Sequence, residues 1–255
     1  MENKIVFSIW IIAAFLIGDY GYGWQKDLGL VPETWPYDLR RWLSQVIWPI
    51  TPVIISLLFL YGWKKLGTEF GIEYRKSSAL IFPLIATLPM LLGYGFSADW
   101  QPNITWRGFL HGCLLAAVVE ELVYRGFLFG QLFRRGGWGF IPAGLAAALI
   151  FGSAHLYQGN DPSSLVGIFM VTAIGSLWFS WLYIEWNYNL WVPIGFHFLM
   201  NFYWGVFDMS NNALGGLEAN LYRGLTIALS IIGTIYWKKR QNLPKGLTRK
   251  KLLVN

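Results

Sequence analysis

Three short groups of polar residues interrupt stretches that are otherwise apolar, and their side chains are of the types that hydrolyse peptide bonds. A carboxylate in an apolar setting can take a proton from water as a general base, and a histidine can orient that water or protonate the leaving amine. Histidine and asparagine can also donate hydrogen bonds to an oxyanion, where such donors are worth a factor of roughly 10²–10³. The groups are Glu120, Glu121 and Arg125; Phe151 and His155; and His197 and Asn201.

The spacing within the first group separates the roles of its charged residues. Glu121 and Arg125 stand four residues apart with the acid first, which is the favourable order for an ion pair on one helix. Glu120 points about 100° away from Glu121 around the helix, so Arg125 neutralises it less easily. An ionisable residue inside a membrane span costs roughly 2.5–3.5 kcal/mol on insertion scales and usually serves a function. We therefore predict that Glu120 is the catalytic base, supported by a Glu121–Arg125 pair that joins helices.

The histidines extend the same site to two further helices. His197 and Asn201 are four residues apart and lie one above the other on one helix face, whereas His155 stands near the end of another apolar helix. One buried histidine is more often structural than catalytic, but two of them with an asparagine and an unpaired glutamate favour a shared site. The third histidine, His111, stands nine residues before Glu120 and is expected to face away from the site.

The same residue types also suit a metal ion. His155, His197 and Glu120 would form a two-histidine, one-carboxylate zinc site, and residue types alone do not separate this mechanism from metal-free hydrolysis. We expect no cofactor, with zinc as the open alternative. The single cysteine, Cys113, excludes a disulfide within the chain and a CxxC metal or redox site.

The composition is that of a membrane protein. Hydrophobic residues make up 55% of the chain and charged residues 13%, whereas a soluble domain carries roughly 25% charged residues. The 15 Trp and 13 Tyr residues are of the types enriched where membrane meets water. The net charge of +6 reflects the basic segment after Trp237. Because no basic groove with interleaved aromatic residues stands outside the apolar stretches, we expect no nucleic-acid partner.

Eight apolar segments approach the length that crosses a bilayer, which is roughly 20 residues. The first is the weakest, because Asp19 interrupts it. Together they predict an all-α, polytopic transmembrane helix bundle of about eight helices, organised as one integral membrane domain over residues 1–255. Its motif-bearing core is residues 108–207, and residues 238–255 form a basic cytoplasmic tail. The segments are Ile5–Trp24, Trp42–Trp63, Ala79–Phe96, Gly108–Phe133, Gly139–Leu156, Leu165–Ile184, Leu190–Phe207 and Leu221–Trp237.

The positive charges predict how this bundle is oriented. With both termini on the inner side, the inner segments hold fourteen of the twenty Lys and Arg residues, including Arg75 and Lys76, and the outer loops hold five. Since cytoplasmic loops carry the excess of Lys and Arg, we expect both termini in the cytoplasm. In a prokaryote this multi-pass protein would lie in the plasma membrane.

The three groups, in this order and on three separate late spans, resemble the motifs of the CPBP family (CAAX protease and bacteriocin-processing). They read Glu-Glu-x-x-x-Arg from Glu120, Phe-x-x-x-His from Phe151 and His-x-x-x-Asn from His197. The resemblance covers roughly residues 108–207. It implies a CAAX-protease-like bundle of eight helices whose catalytic cavity lies in the membrane and opens toward the cytoplasm.

The resemblance also implies roles for the individual residues. Glu120 and His155 would activate water, and His197 and Asn201 would form the oxyanion site. The family is regarded as one of glutamate-type intramembrane proteases, although its members were long described as metalloproteases. The chain has no HExxH, GxGD or GxSG sequence, so the other types of intramembrane protease lack their residues.

These expectations favour an endopeptidase that cuts near the membrane-embedded or lipid-anchored end of another protein. Its partners are then a membrane-bound protein or peptide and the lipid bilayer. A non-catalytic membrane binding or bacteriocin-immunity protein is the alternative, and a proton-coupled transporter is disfavoured because no inverted repeat is visible. Gly126 and Gly130 suit packing within the chain better than dimerisation, so a monomer is favoured.

Overall fold

The computed structural model describes residues 3–73, 77–97 and 104–255, and Arg75 and Lys76 lie outside this part. Its secondary structure is helical, with one isolated β-bridge between Trp138 and Val254. In the described ranges nine helices follow one another: α1 (Lys4–Asp27), α2 (Tyr37–Tyr61), α3 (Leu66–Phe70), α4 (Ser77–Ser97), α5 (residues 108–134), α6 (Phe140–Ala154), α7 (Pro162–Glu185), α8 (Trp191–Val206) and α9 (Leu217–Arg240).

All eight predicted segments are helical, but only five of the described helices are long and apolar enough to cross a membrane. These are α1, α2, α4, α7 and α6 with the short turn that follows it. The count of eight spans is therefore not confirmed. Helix α8 has only 16 residues, α5 contains Glu120, Glu121 and Arg125, and α9 contains Arg223. Two of the helices that are not long and apolar enough to cross a membrane, α5 and α8, therefore contain predicted site residues.

The first predicted span is less interrupted than its sequence suggests. Helix α1 runs unbroken for 24 residues, and the Asn3 side chain caps its start by accepting a hydrogen bond from the backbone N–H of Ile5 at 2.9 Å. Asp19 is tolerated within it because the Tyr124 hydroxyl of α5 donates a hydrogen bond to its carboxylate at 3.2 Å. The polar residue that weakens the span in sequence therefore joins α1 to α5.

Helix α5 is the centre of the bundle. Its second half packs against α1, α2, α3, α6 and α7, and Phe127, Phe129 and Phe133 are completely buried there. Gly126 lies so close to α3 that an added Cβ would stand 3.0 Å from the Phe70 ring, so this glycine serves packing within the chain. Two stretches of α5, Gly108–Leu115 and Glu121–Phe129, are π-helical. Such turns are frequent at functional sites and rotate less per residue than α-helical turns.

Both ends of the chain lie at the same face of the bundle. The Lys4 side chain lies against Gly137, the residue to which Asn255 donates a backbone hydrogen bond at 3.2 Å. The last residues also cap α6, because the carbonyls of Leu252 and Leu253 accept hydrogen bonds from free N–H groups at its start. The predicted basic tail is therefore folded back onto the bundle, and we call this side of the molecule the terminal face.

Candidate active site

A cavity of about 610 Å³ lies between the helices and brings the three motifs together. Helix α5 places Glu120 on its wall, the end of α6 contributes His155, and α8 contributes His197 and Asn201. The side chain of Glu121 is completely buried behind the wall. The four residues predicted to be catalytic therefore share one cavity.

Glu121 connects two of the motifs through a single oxygen. Its Oε1 accepts a hydrogen bond from Arg125 Nη1 at 2.9 Å and another from His197 Nδ1 at 2.7 Å. The side chains of Glu121 and Arg125 are both 0% exposed, so this pair is fully desolvated. The predicted ion pair on α5 is confirmed, and it also holds the histidine of α8. The contact with His197 could not be predicted, because no sequence spacing relates residues on two different helices.

Arg125 is held by aromatic rings as well as by Glu121. Its guanidinium lies 4.6 Å from the centre of the Phe151 ring and 5.2 Å from that of Phe179. Such cation–π contacts are worth about 2 kcal/mol or more where water is excluded. They matter here because Nε and Nη2 have no hydrogen-bond partner in the described part of the chain. Phe151 is thus a support for the arginine, and Phe179 of α7 is a site residue that the sequence did not single out.

The contact with Glu121 determines how His197 is presented to the cavity. Because the Glu121 carboxylate accepts a hydrogen bond from Nδ1, that nitrogen bears a proton, and Nε2 is the nitrogen that can interact with a substrate. Nε2 lies 3.8 Å from Oε2 of Glu120. The Glu120 side chain is 29% exposed, and its Oε2 has no hydrogen-bond partner among the residues described. A free carboxylate oxygen and a free imidazole nitrogen therefore face one another at the cavity wall.

His155 is oriented by the end of its own helix. It is the residue at which α6 stops, and its Nδ1 lies 2.7 Å from the carbonyl oxygen of Phe151, one of the last-turn carbonyls that the helix leaves without a partner. The two rings are also in contact, with centres 4.4 Å apart. The spacing of Phe151 and His155 thus fixes the imidazole in one tautomer, with Nε2 free to accept a hydrogen bond.

Asn201 and His111 both contact the cavity wall at the first π-helical stretch of α5, residues 108–115. Asn201 Nδ2 donates to the backbone carbonyl of Gly112 at 2.9 Å. His111 lines the cavity, contrary to the expectation that it faces away, because the π-helical turns reduce its rotation relative to Glu120. Its Nδ1 lies 2.8 Å from the Gln45 side chain, whose amide also donates to the His111 carbonyl. A polar residue of α2 therefore completes the wall.

The residues proposed as zinc ligands are not arranged as a metal site. Within residues 3–73, 77–97 and 104–255, no three His, Cys, Asp or Glu side chains are close enough together to hold a metal ion. The donor set of Glu120, His155 and His197 does not fit a zinc ion in this arrangement, so no step below involves one.

Comparison with known proteins agrees with this geometry. The sequence model of the family described as Type II CAAX prenyl endopeptidase Rce1-like matches residues 102–203, about two fifths of the chain. No curated protein and no solved structure matches the chain. The matched range contains all seven residues of the three motifs, and the family it names is one of peptidases. Residues 102–203 are therefore similar to the Rce1-like type II CAAX prenyl endopeptidase family, and the resemblance that the motifs predict is confirmed over this range.

Proposed function

We propose that the protein is an intramembrane endopeptidase in which Glu120 activates a water molecule without a metal ion. The observation that carries this proposal is the approach of Glu120 Oε2 to His197 Nε2, 3.8 Å apart on the wall of the cavity. A carboxylate that served only packing would be neutralised by a cation, as Glu121 is by Arg125. Glu120 has no Lys or Arg partner among the residues described, its side chain is 29% exposed, and it faces the space where a peptide would lie.

The reaction follows from the positions of the proton acceptors and donors. Glu120 takes a proton from water while the water oxygen bonds to the carbonyl carbon of the peptide, and the carbonyl oxygen becomes an oxyanion. His155 accepts a hydrogen bond from the same water through its free Nε2. When the tetrahedral intermediate collapses, the C–N bond breaks and the proton on Glu120 passes to the leaving amine.

The oxyanion is stabilised by Asn201 and His197. One N–H of the Asn201 amide is held by the Gly112 carbonyl, which orients the second N–H toward substrate. The form of His197 that bears a proton on both ring nitrogens donates from Nε2 to the oxyanion and keeps that proton throughout, while Glu121 accepts from Nδ1, as the buried carboxylate does in a serine protease triad. Arg125 holds Glu121 in place for this purpose through its hydrogen bond to Oε1.

The test compares protein termini in membranes that contain the wild type, Glu120→Gln or Glu218→Gln at matched levels. Glutamine keeps the size of Glu120 and removes the base, so the termini made by the wild type should vanish. Glu218 is exposed in the first turn of α9 and does not line the cavity, so its glutamine variant should cut like the wild type. If the three samples share every terminus, the protein is not a peptidase under those conditions, and the non-catalytic binding or immunity function becomes the better account.

A further inference from the structure

The cavity is closed toward the terminal face. Its deepest lining residues in that direction are Arg125, Phe179 and His197. Beyond them the helices are packed without space, with Tyr183 and Leu190 completely buried. Still nearer the terminal face, Glu69 is buried and holds an ion-pair network that includes Arg134 at 3.8 Å, joining α3 to α5. A peptide cannot reach Glu120 from this side without unfolding the tightest part of the bundle.

The cavity is open toward the opposite face. About half of its remaining lining residues come from the ends of helices and from loops on that side, and most of the residues in these ends and loops are polar. Tyr157 at the rim is 82% exposed. Across the mouth, the segment after α8 is held by Gln158, which accepts a hydrogen bond from the backbone of Ala213 at 2.8 Å. The polar wall residues on this side are Arg41, Gln45, Tyr157, Gln158, Ser210, Asn211, Asn212, Asn220 and Arg223.

A gap between α7 and α9 extends this opening sideways. Near the terminal face the two helices are tied together, by Trp186 Nε1 donating to Thr234 Oγ1 at 3.0 Å and by Lys238 pairing with Glu185 at 2.6 Å. Farther from that face, Gly175 of α7 and Gly224 of α9 both line the cavity, and a Cβ added to either would meet no atom within 4 Å.

The exposed side chain of Ile174 lines the cavity beside this gap. The side chains of α7 and α9 therefore leave open space beside these two glycines, in the half of the bundle that lies away from the termini. An apolar segment lying along the surface of the bundle could pass between the helices without displacing a side chain at either glycine.

The positive charges assign the two faces. Of the eighteen Lys and Arg residues that the structure describes, the terminal face and its loops hold twelve and the opposite loops hold five. Since the charge-rich side is cytoplasmic, the cavity mouth is extracytoplasmic. The family resemblance implies a cavity open to the cytoplasm, and that expectation and cytoplasmic termini cannot both hold in a bundle with this geometry.

We propose that the site takes its substrate from the extracytoplasmic side. The substrate is a membrane-anchored polypeptide whose apolar segment lies in the outer leaflet against the gap between α7 and α9, with its scissile bond just outside that segment. The claim that this substrate is cleaved rests on the proposed peptidase function. The claim that it enters from the extracytoplasmic side rests only on the position of the cavity mouth and on the distribution of positive charges. A substrate of this kind has been exported or inserted before it is cut.

The side of the membrane on which the cavity opens is tested with two single-cysteine variants. Both carry Cys113→Ala, which removes the buried native thiol. Tyr157→Cys marks the cavity rim, and Leu243→Cys marks the terminal face; both positions are exposed. In intact bacterial cells, a membrane-impermeant maleimide should label Tyr157→Cys, and it should label Leu243→Cys only after the membrane is opened. Labelling of Leu243→Cys but not Tyr157→Cys in intact cells would overturn the proposal.

The substrate class is tested by locating the termini that depend on Glu120. They should lie at the extracytoplasmic ends of membrane segments, and Gly224→Trp, which fills the gap, should remove them. Gly23→Trp is the matched control, because Gly23 on α1 also has open space around it and does not line the cavity. Glu120-dependent termini in cytoplasmic segments would refute this inference and leave the peptidase function standing. Absence of any Glu120-dependent terminus would refute the peptidase function, and the maleimide pattern would still decide the sidedness.

Discussion

Replacing Arg125 with alanine tests whether the buried pair supports the bundle. The substitution leaves the carboxylate of Glu121 completely buried with His197 as its only hydrogen-bond donor in the described chain. Breaking one side of a buried ion pair costs about 3–5 kcal/mol, to which the lost contacts with the rings of Phe151 and Phe179 add. For a chain of about this size, each kcal/mol lowers the melting midpoint by about 2–4 °C. A loss of ~3 kcal/mol should therefore lower it by about 6–12 °C.

The control for this prediction is Arg107→Ala. Arg107 pairs with Asp38 at 3.0 Å, but the two side chains are 67% and 53% exposed, and such pairs contribute about 1 kcal/mol or less. Melting of both variants in the same detergent, at matched concentration, compares a buried with an exposed pair. If Arg125→Ala melted within ~2 °C of the wild type, the claim that this pair holds the helices and His197 in place would be wrong.

Three further predictions follow from the site and the tail. Asn201→Ala should lower the rate at which Glu120-dependent termini form by roughly 10²–10³-fold with little change in melting, and an unchanged rate would remove Asn201 from the oxyanion site. The purified protein should contain less than one equivalent of zinc and keep its activity in a chelator; stoichiometric zinc with activity lost on chelation would return Glu120, His155 and His197 to the role of ligands. Gly139→Ala should release the C-terminal segment, because the new Cβ would lie 2.5 Å from the Leu252 carbonyl oxygen. A C-terminal tag should then become sensitive to protease, whereas Gly23→Ala, which meets no atom, should leave it protected.

Much of the local structure could be predicted from the sequence because it depends on residues near one another along the chain. Each predicted apolar segment is a helix, since apolar runs without strong breakers favour helices in a membrane. The Glu121–Arg125 pair and the contact of His155 with Phe151 also follow from four-residue spacing. The limits of the segments shifted by a few residues, as at α9, which begins at Leu217 rather than Leu221.

The sequence was less informative wherever the helix geometry or the path of the tail departs from the ordinary pattern. An α-helical spacing places His111 opposite Glu120, but the π-helical turns bring both to the cavity. The terminal residues look like a solvated basic run, yet Leu252 and Leu253 complete the hydrogen bonding of α6. In both cases the structure depends on which backbone groups hydrogen-bond to one another, and the residue types do not reveal that pairing.

The sequence by itself determined which residues the proposed chemistry uses, because the ionisable residues that an apolar chain tolerates are few and their motifs stand in a recognisable order. Only the tertiary structure decided how that chemistry is assembled. It joined Glu121 to His197 across 76 positions, put Phe179 against Arg125, and opened the cavity on the face opposite the termini. These are contacts between helices, and they depend on how the helices rotate and tilt against one another, which no spacing along a single helix determines.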